Sequence, residues 1–227
     1  MKNNHFIEFE RSLEQDRSKL EPRTESQHHY MQSIYHNKIT FATGPAGTGK
    51  TFLATAIAAD MIIEKKLRNL IITRPAVEAE ESLGFLPGEL EDKYAPYFRP
   101  VRHILDRRLG ESQTAYLIKN KQIEAMPLAY MRGNTFEDCF VLFDEAQNAT
   151  KKQMKLFLTR VGENCRVVVN GDITQRDVEC DGIEDAILRT RGIERVNNVE
   201  FDHDDVVRSG LAAHIVKAYD HYDAQWI

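Results

Sequence analysis

Short apolar runs recur along the chain, each closed by polar or turn-forming residues: Lys38–Thr43, Asn69–Thr73, Cys139–Phe143 and Arg166–Asn170. They are rich in β-branched and aromatic side chains and too short for helices, so they predict buried strands. Asn198–Phe201 predicts a last strand, and Glu124–Tyr130 a segment able to pair as one. Between these runs the apolar period changes to that of a helix. Thr51–Lys66 carries Leu53, Ala54, Ile57, Ala58, Met61 and Ile62 on one face. Thr24–His36 opens with Thr24-Glu-Ser-Gln27, the form of a capping box. Further helices are expected at Arg99–Leu109, Ser112–Lys121, Thr150–Val161, Gly182–Arg191 and Asp204–Tyr219. Strands alternating with helices imply an α/β fold, a mainly parallel sheet flanked by helices.

Two stretches follow neither period closely. Residues 1–21 are highly charged, with Phe6, Phe9, Leu13 and Leu20 at spacings of 3, 4 and 7. They suggest a lightly amphipathic helix, packed or frayed, that Pro22 ends. Ala76–Arg99 is acidic and punctuated by Gly84, Pro87, Gly88 and Pro96. It reads as a long loop, and long loops in compact domains are usually functional or mobile.

The chemistry sits where strands end. Lys38–Thr43 runs into Gly44-Pro-Ala-Gly-Thr-Gly-Lys-Thr51, and a helix follows at once. Strand, glycine loop and helix together aim backbone N–H groups and a helix N-terminus at a polyphosphate. Gly44, Pro45, Ala46, Gly47, Thr48 and Gly49 form the wrapping loop, Lys50 reaches the β- and γ-phosphates, and the Thr51 hydroxyl ligates Mg²⁺. The run Cys139–Phe143 ends in Asp144-Glu145. Asp144 is positioned to hold Mg²⁺, commonly through water, and Glu145 to orient or deprotonate the attacking water. An acidic strand-end turn is the structural alternative. Gly171-Asp-Ile-Thr-Gln175 follows the next run, and its Gln175 either senses a γ-phosphate or is a surface side chain. Gln27 caps its own helix, contacts adenine, or does both. Arg208, near the start of the last expected helix, is an arginine-finger candidate or the partner of Asp202, Asp204 or Asp205.

Composition narrows the setting. Hydrophobic residues at 42% and charged residues at 29% are those of an ordinary globular chain. No apolar run is long enough to span a bilayer, and the N-terminus has no signal-peptide core. The three cysteines are scattered and lack metal-ligand spacing, so they read as reduced residues of a cytoplasmic protein. A net charge of −5 argues against coating nucleic acid by charge alone. A local basic run, Arg99-Pro-Val-Arg-His-Ile-Leu-Asp-Arg-Arg108, and the cluster Lys151, Lys152 and Lys155 are either solvated helix faces or a groove for phosphates.

Taken together, these segments resemble the ATPase domain of the PhoH family, relatives of superfamily-one helicases. The resemblance is carried by Pro22–Gln27, the phosphate loop, Ile72-Thr-Arg-Pro-Ala-Val-Glu-Ala79, Leu83–Gly88, Pro127-Leu-Ala-Tyr-Met-Arg-Gly133, Asp144-Glu-Ala-Gln-Asn148, Gly171–Gln175 and Asp205–Arg208. It implies a RecA-like, Mg²⁺-dependent ATPase linked to RNA or single-stranded nucleic acid. By the same resemblance Gln27 contacts adenine, Gln175 senses the γ-phosphate and Arg208 is the finger. Glu80 stands where the family usually has glycine, and Ser209-Gly210 replaces the usual His-Pro. The expected organisation is an extension over 1–21, the ATPase domain over 22–220 and a tail over 221–227, without the accessory domain of longer members. One phosphate loop and one sheet leave no second lobe to supply a finger. Arg208 is therefore expected to act in trans, in a head-to-tail homo-oligomeric ring, a hexamer by analogy with other RecA-like ATPases. A small-molecule kinase and a nucleotide-switched binding module are the rival readings.

Overall fold

In the computed structural model, which describes residues 15–75, 90–131, 133, 135–173, 175 and 181–207, the apolar runs form one parallel sheet. Its strands are β1 (Ile39–Thr43), β2 (Asn69–Thr73), β3 (Ile123–Ala125), β4 (Cys139–Phe143), β5 (Arg166–Gly171) and β6 (Val196–Glu200), in the order β3-β2-β4-β5-β1-β6. The register is continuous across the middle: Phe143 lies beside Val169, and Phe41 beside both Val169 and Asn198. The strand bearing Asp144 is thus separated from the phosphate-loop strand by β5 alone.

The strand runs are apolar at nearly every position because both faces of the sheet are covered. On one face Ala42, Leu70, Ile72, Phe140, Leu142 and Val168 pack against helices α1 (Glu25–His36), α2 (Lys50–Ile63) and α3 (Leu90–Leu109). The short α4 (Glu111–Lys119) closes that layer through Leu117. On the other face Phe41, Val141, Phe143, Val167 and Val169 meet Met154 and Phe157 of α5 (Lys151–Leu158) and Ile183 and Ala186 of α6 (Gly182–Thr190). Each helix therefore buries an apolar stripe, as its spacing predicts.

The structure departs from the sequence reading at identifiable places. Helix α3 begins at Leu90, not Arg99, and continues through Pro96 and Pro100. Val101, Leu105 and Leu109, four residues apart, are buried in the core, and that tertiary burial outweighs the proline penalty. The pairing expected over 124–130 shortens to β3, and a 3₁₀ turn at Leu128–Met131 follows Pro127, which has no N–H to give a ladder. Residues 15–21 are not helical. Asp16 N–H donates to the Arg107 carbonyl (2.8 Å), and the Arg108 guanidinium donates to the carbonyls of Asp16 and Ser18, which holds the segment extended along α3. The last expected helix begins differently: His203–Asp205 is a 3₁₀ turn, and Val206 and Val207 leave it extended. Residues 1–14, 76–89 and 208–227 lie outside the described residues, so the readings placed there are not addressed.

Cys139 and Cys165, distant in sequence, are buried with their sulfurs 3.6 Å apart, because they precede neighbouring positions of β4 and β5. The shared S–H hydrogen bond and burial push the Cys165 thiol well up. Among the described residues no helix is long and apolar enough to cross a membrane.

Candidate nucleotide site

The phosphate loop leaves β1 at Thr43, and its first N–H, on Gly44, donates to the carbonyl of Gly171 at the end of β5 (3.2 Å). Only glycine fits there. Gly44 has φ +133°, and a Cβ would stand 2.2 Å from the Phe201 carbonyl oxygen. Gly49 caps α2 in the left-handed region (φ +87°) with no side chain over the helix end. The first N–H groups of α2 are left facing outward, as an anion site requires.

Braces hold the loop from outside. The Gln27 amide donates to the Thr48 carbonyl (2.9 Å) and accepts from the Arg23 N–H (2.8 Å). The Thr24 hydroxyl accepts from the Gln27 N–H (3.2 Å), so Gln27 belongs to the capped N-terminus of α1 and ties that helix to the loop. On the far side Val207 N–H donates to the Gly47 carbonyl (3.1 Å). Asp205, two residues earlier, is raised by burial, yet hydrogen bonds from Thr24, Asp202 and Ser26 together outweigh this and hold its carboxyl below the usual range.

Inside the loop lies a cavity of about 280 Å³ lined by Ala46 through Phe52, Asp144, Glu145, Asn170, Gly171, Asp172 and Gln175. Lys50 folds over it, its Nζ donating to the carbonyls of Gly44 (2.7 Å) and Pro45 (2.8 Å) and to the Thr48 hydroxyl (3.2 Å). Burial pushes the Lys50 ammonium below its ordinary pKa, partly offset by Asp172, Asp144 and Glu145. The Thr51 hydroxyl donates to Asp144 Oδ1 (2.8 Å), while the Arg74 guanidinium pairs with Asp144 Oδ2 (2.6 Å). Both oxygens of a nearly inaccessible carboxylate are engaged, one of them by a cation. A hydroxyl and a carboxylate at that separation are an oxygen donor set suited to Mg²⁺. The volume suits the phosphates of a nucleotide rather than the whole molecule.

Glu145 is exposed at the rim and holds a left-handed backbone (φ +56°). A non-glycine residue in that region is costly and is kept where the surroundings fix it, often at functional positions. The fixing residue is Gln147, buried below the rim. Its amide donates to Glu145 Oε2 (2.8 Å) and to the Gln175 carbonyl (3.3 Å) and accepts from the Asp172 N–H (3.0 Å). One side chain thus links the β4 and β5 ends of the site.

The structure brings Lys50, Thr51, Asp144, Glu145 and Gln175 onto one cavity, with Ala46 through Gly49. Gly44 and Pro45 meet Lys50 through their carbonyls, and Gln27 sits behind the loop rather than on the cavity lining. Arg208 is outside the described residues. The basic run of α3 is not gathered here. Arg108 is buried, its Nη2 donating to both carboxylate oxygens of Asp60 in the last turns of α2 (2.6 and 2.8 Å), while Arg102 pairs with Asp106 and Arg107 with Asp16. That end of α2 points away from its phosphate-facing N-terminus. Lys151 pairs with Asp181 and Asp185. A larger groove of about 630 Å³ between α6 and β6 carries none of Lys50, Thr51, Asp144 or Glu145, so chemistry rather than size marks the site. Sequence reasoning gave no role to Gln147 or Asn170. Their only sequence signal is a polar residue at the end of an apolar strand or just beyond it.

Residues 19–220 match the family model described as PhoH-like protein. The chain is 48% identical over 209 residues to Protein PhoH of Escherichia coli K12, covering 90% of this chain and 59% of that one. It is 42% identical over 228 residues to a PhoH-like protein of Bacillus subtilis, covering 96% of this chain and 72% of that one. The chain thus spans about three-fifths of the Escherichia coli relative. Solved structures with partial likeness include a Sulfolobus solfataricus SWI2/SNF2 ATPase core in complex with dsDNA (TM-score 0.43, 17% identity, 67% of this chain and 32% of that one). Another is the Pif1 helicase from Candida albicans (TM-score 0.39, 14% identity, 81% of this chain and 41% of that one).

Proposed function

Because the chain belongs to the PhoH-like protein family, we propose that it binds ATP with Mg²⁺ in the phosphate-loop cavity and hydrolyses it. The observation that carries this reading is the Thr51–Asp144 contact of 2.8 Å, formed across the sheet beside Lys50 and Glu145. Thr51 and Asp144 would hold Mg²⁺, which when bound supplies charge against the β- and γ-phosphate oxygens. The α2 N–H groups and Lys50 bind phosphate; Lys50 exchanges its carbonyl partners for phosphate oxygens, which are better acceptors. Glu145, held by Gln147, accepts the proton of the attacking water. Gln175, on the same cavity, reports the γ-phosphate, and Gln27 serves the adenine end while bracing the loop.

Single-stranded nucleic acid, RNA foremost, is the proposed partner, and hydrolysis is the step coupled to its binding or remodelling. Support comes from the family resemblance at Ile72–Ala79 and Pro127–Gly133. Tyr130 adds to it: it stands 60% exposed on the turn after β3, at the edge where ligands of parallel sheets bind. The head-to-tail ring with Arg208 as finger is part of the same proposal. The Val207–Gly47 bond brings the residue before Arg208 to its own phosphate loop, so action in cis and in trans must be separated by experiment. The deciding assay is the ATPase rate with and without single-stranded RNA, single-stranded DNA and duplex. Stimulation by a single strand supports the reading. Equal rates in all conditions, or phosphate passed to a small acceptor instead of water, refute it.

A further inference from the structure

Strand β5 lies between the strand that carries the phosphate loop and the strand that carries Asp144. Its apolar run Val167-Val-Val169 ends at Asn170, which lies beside Ala42 of β1. Val169 lies beside Phe143, so Asn170, still within β5, stands next to Asp144, the first residue beyond β4. A fourth valine would continue the apolar run. The residue present is an amide, 1% exposed, in the middle of the sheet.

Half of that amide is accounted for. Asn170 Oδ1 accepts a 2.7 Å hydrogen bond from the Tyr30 hydroxyl, which lies fully buried under α1 and 3.3 Å from the Lys50 carbonyl. The other half is not: Asn170 Nδ2 is buried with no hydrogen-bond partner among the described residues. Buried donors are nearly always satisfied, and an orphan calls for a reason. Asn170 lines the phosphate cavity while Tyr30 does not, so with the oxygen held by Tyr30 the nitrogen is the half of the amide left for a ligand in the cavity. What completes Nδ2 must be an acceptor, and phosphate oxygens are acceptors only. The loop N–H groups cover the proximal phosphates, whereas Asn170 stands next to Asp144, the carboxylate that would hold the metal.

We infer that Asn170 is a γ-phosphate contact, donating from Nδ2 to a terminal oxygen, with Tyr30 as the positioning residue that sets the amide. Asn170 thereby distinguishes a nucleoside triphosphate from a diphosphate. This rests on the ATP reading above.

The test is equilibrium binding of Mg²⁺-ADP and of a non-hydrolysable Mg²⁺-ATP analogue to the full chain, wild type against Asn170→Val and Tyr30→Phe. Asn170→Val should weaken the triphosphate analogue about tenfold or more, the worth of a hydrogen bond to a charged acceptor. ADP affinity should stay within about twofold, and thermal stability should hold or rise, because the orphan donor is gone. Tyr30→Phe should lose part of the same discrimination. If Asn170→Val does not fold, Asn170→Thr, which keeps a hydroxyl for Tyr30 but falls short of the cavity, carries the same expectation. Equal losses for both ligands, or an unchanged ratio, overturn the assignment. A wild-type chain that binds neither ligand instead overturns the ATP reading.

Discussion

Arg74→Ala should destabilise the ligand-free protein and make its stability depend on Mg²⁺-nucleotide. In the structure the Asp144 side chain is 3% exposed and Arg74 16%, with 2.6 Å between them. Removing one partner of a fully buried pair costs about 3–5 kcal/mol. Here the Thr51 hydroxyl stays on the other carboxylate oxygen and Arg74 is partly wetted, so about 2 kcal/mol is expected. For a chain of this size that is a fall in Tm of roughly 4–8 °C. The bound metal replaces the guanidinium as countercharge. Since it no longer has to displace Arg74, its apparent affinity should rise, by up to about thirtyfold if the whole 2 kcal/mol is recovered. Denaturant unfolding of wild type, Arg74→Ala and Arg74→Lys, with and without saturating Mg²⁺-ADP, measures both quantities. A loss of equal size in the two conditions, or none in either, would refute the claim that Arg74 holds the metal carboxylate.

Other outcomes follow from the same geometry. Asp205→Asn should cost about 1–2 kcal/mol near neutrality, the worth of hydrogen bonds to a charged acceptor. Because the folded carboxyl is held below its unfolded value, this contribution is complete above the usual aspartate range and is lost as pH falls through the depressed folded value. A mutant penalty that persists undiminished as pH falls far below the usual aspartate range would contradict the assignment. Tyr130→Ala should weaken single-stranded RNA binding roughly fivefold or more without changing basal ATP turnover, whereas Tyr116→Ala, equally exposed on α4, should not; equal effects would remove the stacking role. Mixing Arg208→Ala with Lys50→Ala chains should restore ATPase activity if the finger acts in trans. No recovery, or a fully active monomer, excludes the ring.

The four strands at the sheet centre were legible because burial on both faces makes most of their residues apolar, and the loop was legible because phosphate wrapping fixes glycine positions. Local pattern failed where distant packing decides. The proline-containing start of α3 is overridden by Val101, Leu105 and Leu109 in the core. The basic run read as a solvated helix face or a groove, yet Arg108 is buried against Asp60, forty-eight residues away. Arg74 and Gln147 likewise find their partners across the sheet top, in loops that only the parallel register brings together. Spacing along one strand carries no trace of which carboxylate a neighbouring strand will present.

Phosphate release from saturating Mg²⁺-ATP by wild type and Glu145→Gln, with ATP affinity measured on both, bears most directly on hydrolysis at this site. Steady turnover by wild type, slowed at least about a hundredfold in the mutant with ATP still bound, is the predicted result. Equal turnover by the two proteins would contradict it.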